Sequence, residues 1–173
     1  MSTVKPIDET ARRKVISVTA EYIDKAASMF DRKFSSIPVY FDLTGRAAGM
    51  YKASRNQCLI RYNPYIFAKY FADNLANTVP HEVAHYVADK VYGGRRIRPH
   101  GAEWQAIMAF FACDASRTCD YNLEGIPLRT QRRYTYTCRC GSHQLTTRRH
   151  NKIIRNTARY FCRVCKDELV AKN

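Results

Sequence analysis

An α+β fold is predicted by three features of the chain. A long amphipathic segment comes first, three short strand-like runs follow it, and a second helical stretch then carries His81-Glu-Val-Ala-His85. From Arg129 the character changes to a small β-rich module. With 173 residues the chain holds one core domain plus an appendage. The core is large enough to bury itself without disulfides. We divide the chain at residues 1–128 and 129–173.

Ile7, Ala11, Val15, Val18, Tyr22, Ala26 and Met29 recur at three- and four-residue steps, which predicts a helix over Ile7–Phe34. Pro38 stops it. Val39–Asp42, Ala47–Tyr51 and Gln57–Tyr62 read as strands, with Gly45 and Gly49 bracketing a turn and Asn63-Pro64 ending the third. The connections are too short for crossover helices, so one antiparallel sheet is expected. Tyr65–Tyr92 reads as helical up to Gly93-Gly94, and Pro80 predicts a kink or a fresh start near Thr78. A basic loop, Arg95–Pro99, leads to a helix over Gly101–Phe111 with Trp104, Ile107, Met108 and Phe111 on its apolar side.

The net charge is +14. Twelve of the 29 basic residues, but only two of the 15 acidic ones, lie from Arg129 onward. A segment this basic neutralises phosphates and releases counterions, so nucleic acid is the first partner to consider. The start lacks the apolar core of a secretory signal, and no run approaches the roughly 20 apolar residues that span a bilayer. A cytoplasmic protein with no membrane role is expected, its seven cysteines reduced and some of them metal ligands.

In H-E-x-x-H, the two histidines four apart on a helix share one face, so His81 and His85 can point at one zinc. Glu82 projects from the adjacent edge, where it reaches a water beside the metal and serves as general base of a peptidase. Val83, Ala84, Val87 and Ala88 mark this helix as buried, so its polar residues need a reason to be there. A catalytic zinc takes a third protein ligand, and both His100 and Glu103 are placed to supply it. Asp89, four residues past His85, reads as a plain solvated residue, with a hydrogen-bond role behind the ligands as the alternative.

Cys138, Cys140, Cys162 and Cys165 suggest a structural zinc ribbon with an unusual C-x-C first pair, in which His143 is an alternative ligand. Cys58, Cys113 and Cys119 lack partners at ligand spacing. Arg132, Arg133, Arg148, Arg149 and Arg155 surround the ribbon with Tyr134 and Tyr136 interleaved, a composition suited to single-stranded or distorted DNA. Tyr160 and Phe161 are expected to form the ribbon's own small core.

Val79-Pro-His-Glu-Val-Ala-His85 followed by Pro99-His-Gly-Ala-Glu-Trp104 resembles the SprT family of zinc metallopeptidases, to which the eukaryotic Spartan DNA-dependent proteases are related. The resemblance extends to Ile60–Pro64, Cys138-Arg-Cys140, His143-Gln-Leu145, Arg148–Asn151 and the Cys162-x-x-Cys165 pair. It implies a zincin-like core and zinc on His81, His85 and His100, which favours His100 over Glu103. It also implies catalysis by Glu82, with Gln57–Tyr62 as the sheet's edge strand beside the metal. Proteins bound or crosslinked to DNA are the implied substrates. The competing readings are a non-catalytic nucleic-acid-binding zinc protein and a zinc hydrolase of another substrate class.

Overall fold

Asp8 starts the first helix by accepting a hydrogen bond from the Ala11 amide at 2.8 Å, a capping role that short polar side chains fill well. The computed structural model describes residues 3–54, 57–94, 96–115, 120–128 and 132–171. These form two compact units, Met1–Leu128 and Arg129–Asn173.

In the first unit, helix α1 spans Glu9–Phe30 and ends on Asp31 in the left-handed region, φ 44°. It stops short of the expected Phe34. Val15, Val18, Thr19, Ile23 and Ala26 form its buried side.

Strands β1 (Val39–Tyr40), β2 (Gly49–Ala53) and β3 (Cys58–Tyr62) make a sheet of order β1-β3-β2. The expectation of a purely antiparallel sheet is corrected here. β2 and β3 form an antiparallel hairpin, but β1 runs parallel to β3. The physical reason lies in residues 41–48, which cross the end of β3 without pairing as a hairpin. Leu43 donates its amide to the Tyr62 carbonyl at 3.2 Å. Asn63 Nδ2 donates to the Gly45 carbonyl at 3.1 Å. The chain therefore returns on the far side of β3. A second correction follows: Gln57–Tyr62 is not the edge. Its residues occupy the central strand, where Ile60 and Tyr62 are buried, while β2, bearing the exposed Lys52, lies at the edge.

Asn63 is buried, and its side chain accepts from the amides of Tyr65 and Ile66 to cap α2, Pro64–Lys69. Pro64 sits at the helix start, where a missing N–H costs nothing. The short α3 (Phe71–Asp73) continues into a π-helical turn, Asn74–Thr78, and then into α4, Val79–Tyr92. The irregularity expected from Pro80 is this turn. Proline leaves the Ala76 carbonyl without its helical donor, and the Cys113 thiol lies 3.7 Å from that oxygen. α4 packs against α1 and against α5, Ala102–Phe110. Val79, Val83, Ala84, Val87, Trp104, Ile107 and Met108 fill the shared core.

In the second unit, β4 (Arg133–Cys138) pairs antiparallel with both β5 (Gly141–Thr146) and β6 (Val170–Ala171). The sequence reading missed α6, Thr147–Ile154, which carries Arg148 and Arg149. Tyr136, Leu145, Cys162 and Leu169 make a small core with Tyr160 packed against it. Phe161 does not join: it is 54% exposed, which corrects its expected core role. The isolated bridge from Phe161 to Glu168 places it outside the named strands. No helix among the described residues is long and apolar enough to cross a membrane.

Candidate metal centres

α4 presents His81 and His85 one turn apart, and the loop after it brings His100 in with φ 58°. The three Nε2 atoms converge. His81 and His85 are 3.2 Å apart, His85 and His100 3.1 Å, and His100 and His81 3.0 Å. Trp104 backs all three rings, with centroids 4.7 to 5.5 Å away. Its indole N–H donates to the His81 carbonyl at 3.3 Å, and Gln105 Nε2 donates to the His100 carbonyl at 3.2 Å. Burial, reinforced by the neighbouring imidazoles, pushes the His81 pKa down to about 4 and that of His85 down to about 3. Both rings are therefore neutral at physiological pH, as metal ligation requires.

Among the described residues no fourth His, Cys, Asp or Glu side chain joins the three, and Glu103 stands outside the cluster. Neutral imidazole nitrogens aimed at one point, with no fourth donor, fit a borderline-soft cation with an open position.

Glu82 is 6% exposed. The Tyr51 amide donates to its Oε2 at 2.6 Å. Burial pushes its pKa up to about 7, against the opposing pull of that hydrogen bond. The carboxyl thus lies between the imidazoles' helix and the free edge of β2. That edge is exposed in a regular alternation. The Tyr51 amide faces Glu82 rather than β3, so the outward-facing backbone groups belong to Gly49, Tyr51 and Ala53.

Asp89 does not reach the histidines and is not a plain solvated residue. It accepts from the Tyr51 hydroxyl at 2.7 Å and from the Gly94 amide at 2.7 Å. It thereby ties the edge strand to the loop that delivers His100. Burial, then the bond to Asp89, raises the Tyr51 pKa far above the ordinary phenol range. A cavity of about 870 Å³ runs along this arrangement, with Met50, Tyr51, Ile97 and Trp104 among its lining residues. Sequence reading put Gly49 at a turn and gave neither it nor Tyr51 a part in the site; a glycine inside a strand, the mark of a close backbone approach, was the available signal.

In the ribbon, Cys138 Sγ lies 3.4 Å from Cys140 Sγ and 3.2 Å from His143 Nε2, and Cys140 Sγ lies 3.5 Å from Cys162 Sγ. Cys165 is within hydrogen-bond reach of Cys140 and Cys162. Cys138, Cys140, His143 and Cys162 thus converge as a four-donor set, with Cys165 beside Cys140 and Cys162. Backbone amides of Cys165 and Val164 pull the Cys162 pKa down to about 6, favouring its thiolate. Hydrogen bonds shared with Cys138, Cys165 and Cys162 push the Cys140 pKa up to about 12. Sulfurs crowded this closely, with Cys162 favoured as thiolate, suit a metal cation as their common partner. Cys58 and Cys113 stand apart in the first unit, and Cys119 lies outside the described residues.

Arg132, Arg133, Arg148, Arg149 and Arg155 are all exposed. Arg132 lies over Tyr134 at 5.1 Å, and Tyr134 stacks on His150 at 3.6 Å with planes 5° apart. Arg149 lies over Tyr160 at 5.5 Å. Tyr136 is buried instead, its hydroxyl 3.0 Å from His150 Nδ1.

The SprT-like family matches residues 19–132, and the SprT-like zinc ribbon domain matches residues 132–173. Protein SprT of Pasteurella multocida (strain Pm70) is 34% identical over 91% of this chain and 92% of its own length. Protein SprT of Vibrio parahaemolyticus serotype O3:K6 is 36% identical over 90% and 91%. Protein SprT of Pseudomonas savastanoi pv. phaseolicola is 38% identical over 84% and 87%. No solved structure matches the chain. Two family matches that meet at residue 132, and relatives that align along nearly the whole length, place this chain in the SprT-like family, with an SprT-like zinc ribbon domain at its C-terminal end.

Proposed function

We propose that the protein is a zinc-dependent endopeptidase for proteins bound or crosslinked to DNA. One observation carries this reading: three converging neutral imidazoles stand beside a single buried carboxyl at a free strand edge. His81, His85 and His100 would hold the metal. Bound zinc would supply Lewis acidity toward a scissile carbonyl and toward a water beside it. Glu82 contributes the proton handling. Its carboxylate takes a proton from the attacking water and passes it to the departing amine. A pKa raised by burial suits a group that must both accept and return a proton near neutrality. With the Tyr51 amide held by Glu82, the outward backbone groups of Gly49 and Ala53 and the Tyr51 carbonyl give an extended polypeptide a strand to pair with, which orients its amide before reaction.

Residues 1–128 would hold this chemistry, and residues 129–173 would anchor single-stranded or distorted DNA. The support for the anchor is the exposed arginine set and the half-buried Tyr134 stacked on His150. A cytoplasmic setting would keep the ribbon thiols reduced and able to bind a second zinc.

The test compares wild type with Glu82→Gln on a protein crosslinked to a single-stranded oligonucleotide. Wild type should shorten the adduct, and Glu82→Gln should retain zinc and lose cleavage. Cleavage by the variant at the wild-type rate would reject Glu82 as the base.

A further inference from the structure

Two guanidinium groups in the lining of the active cleft have no carboxylate partner among the described residues. Arg96 and Arg98 line the same cavity as the three histidines and Glu82. Both are exposed, and no ion pair involves either among the described residues. Among the described residues, the acidic ones lining the cavity are Glu82 and Asp89. Glu82 is buried against the Tyr51 amide, and Asp89 has its oxygens on Tyr51 and Gly94. Neither is placed to neutralise the arginines.

The rest of the lining decides what kind of anion belongs there. Gly49, Met50, Tyr51 and Ala53 of the edge strand β2 share the cavity with Arg96 and Arg98, and an extended polypeptide can pair with such an edge. A chain lying along β2 therefore runs through the cavity that Arg96 and Arg98 line. Met50, Ile97 and Trp104 supply apolar surface in the same cavity, which suits a peptide better than a run of phosphates. We propose that Arg96 and Arg98 form an anion-accepting subsite, so that the cleft selects substrates with an acidic side chain near the scissile bond. This rests on the endopeptidase reading and adds the substrate class to it. Arginine, with its planar fork of donors, binds a carboxylate through two parallel hydrogen bonds.

The experiment uses the zinc-loaded full chain and one peptide sequence varied at single positions as Glu, Gln or Lys. Wild type should cleave the best Glu peptide about tenfold more efficiently than its Lys counterpart, measured as kcat/KM, as two partly exposed charge contacts allow. The preference should shrink as salt rises. Arg96→Ala with Arg98→Ala should abolish it, and Arg96→Glu with Arg98→Glu should reverse it.

Binding of the same labelled peptides to Glu82→Gln protein, followed by fluorescence anisotropy, separates the two readings. Selective binding of Glu peptides without hydrolysis by wild type would keep the subsite and reject the peptidase. Hydrolysis with no charge preference, or a preference indifferent to both arginine pairs, would overturn the subsite. Loss of oligonucleotide affinity in the charge-reversed variant, with peptide selectivity unchanged, would also overturn it in favour of a nucleic-acid contact.

Discussion

A Cβ at Gly49 would lie 2.7 Å from both Cγ and Oε1 of Glu82, and 2.7 Å from the Thr78 methyl. The edge strand therefore approaches the carboxyl as closely as backbone alone permits. Real Cβ contacts do not come so near, so a side chain here must displace Glu82 or the strand. Gly49 has no left-handed φ, so alanine would act through space and not through backbone strain. Gly49→Ala should lower kcat roughly tenfold to a hundredfold, the range that misplacing a reacting group costs. KM and zinc content should stay near wild type. An unchanged kcat would show that Glu82 tolerates the shift and that the close approach has no catalytic role.

Glu82 also has a measurable effect on stability once the metal is chelated. Its folded pKa, about 7, lies above the ordinary glutamate value. Its contribution to stability is thus fully present below the ordinary glutamate range and is lost as pH rises through about 7. His81 and His85 act in the opposite direction. Their folded pKa values, about 4 and about 3, lie below the ordinary histidine value. The unfolded chain then binds more protons, and stability falls as pH drops from about 6.5 toward 3. Metal-free Glu82→Gln should therefore gain melting temperature over metal-free wild type as pH rises from about 5 to 8. Thermal melts in chelator across that range test it; a difference that is flat with pH would contradict a buried, proton-retaining Glu82.

Asp89 joins two parts of the site that the backbone does not. Its carboxylate holds the Tyr51 hydroxyl on β2 and the Gly94 amide at the start of the loop toward His100. A Cβ on Gly94 would overlap Asp89 Oδ1, so that contact is also tight. Asp89→Ala leaves the loop without its anchor while every proposed ligand remains. Zinc affinity should fall about tenfold or more, as when groups supporting ligands are removed. Tyr51→Phe, which loses one of the two bonds, should fall less. Competition with a zinc-binding dye would measure both, and equal affinities for all three proteins would dismiss the clamp.

Much of this site was legible because its signals are local. Helical spacing alone placed His81 and His85 on one face, and the apolar Val83, Ala84 and Val87 marked the helix as buried. His100 was harder. Its ring reaches the pair through a loop in left-handed conformation, which spacing does not encode, and it separated from Glu103 only through the family resemblance. The role of β2 was hidden because strand order is a long-range property. Short connections suggested simple hairpins, yet residues 41–48 pass across β3 and put Gly49–Ala53 at the edge. Helix α6 was missed for a different reason. Thr147-Arg-Arg-His-Asn-Lys152 has no apolar residue, and Ile153 and Ile154 come only at the helix end, so no apolar repeat at three- and four-residue steps marks it.

The two donor clusters should bind two zinc ions per chain, each independent of the other. His100→Ala removes one of three imidazoles and should leave one zinc per chain, with the ribbon intact. Cys162→Ser removes the thiol that backbone amides favour as thiolate and should likewise leave one, held by the histidines. His143→Ala distinguishes donors within the ribbon. Its Nε2 lies 3.2 Å from Cys138 Sγ, so if it is a ligand, its loss should weaken the ribbon zinc. Elemental analysis after dialysis gives the count. A single zinc in wild type would refute the pair of centres.

Five of the ribbon's exposed arginines, Arg132, Arg133, Arg148, Arg149 and Arg155, should govern how DNA binding responds to salt. Each guanidinium that neutralises a phosphate releases counterions and adds about 0.7 to the steepness of log K against log salt for a single strand. Arg132 and Arg149 lie over Tyr134 and Tyr160, so each of these guanidinium groups is paired with an aromatic face. Arg148 lies on α6 beside Arg149, and Arg133 and Arg155 flank it in sequence at the start of β4 and the end of α6. Substituting all five by alanine should flatten the slope by as much as about 3.5 for a single-stranded oligonucleotide. Tyr134→Ala should act differently. Losing a stacking surface lowers affinity at every salt concentration and leaves the slope nearly unchanged. Parallel slopes for wild type and the five-arginine variant would place the DNA contact elsewhere on the chain.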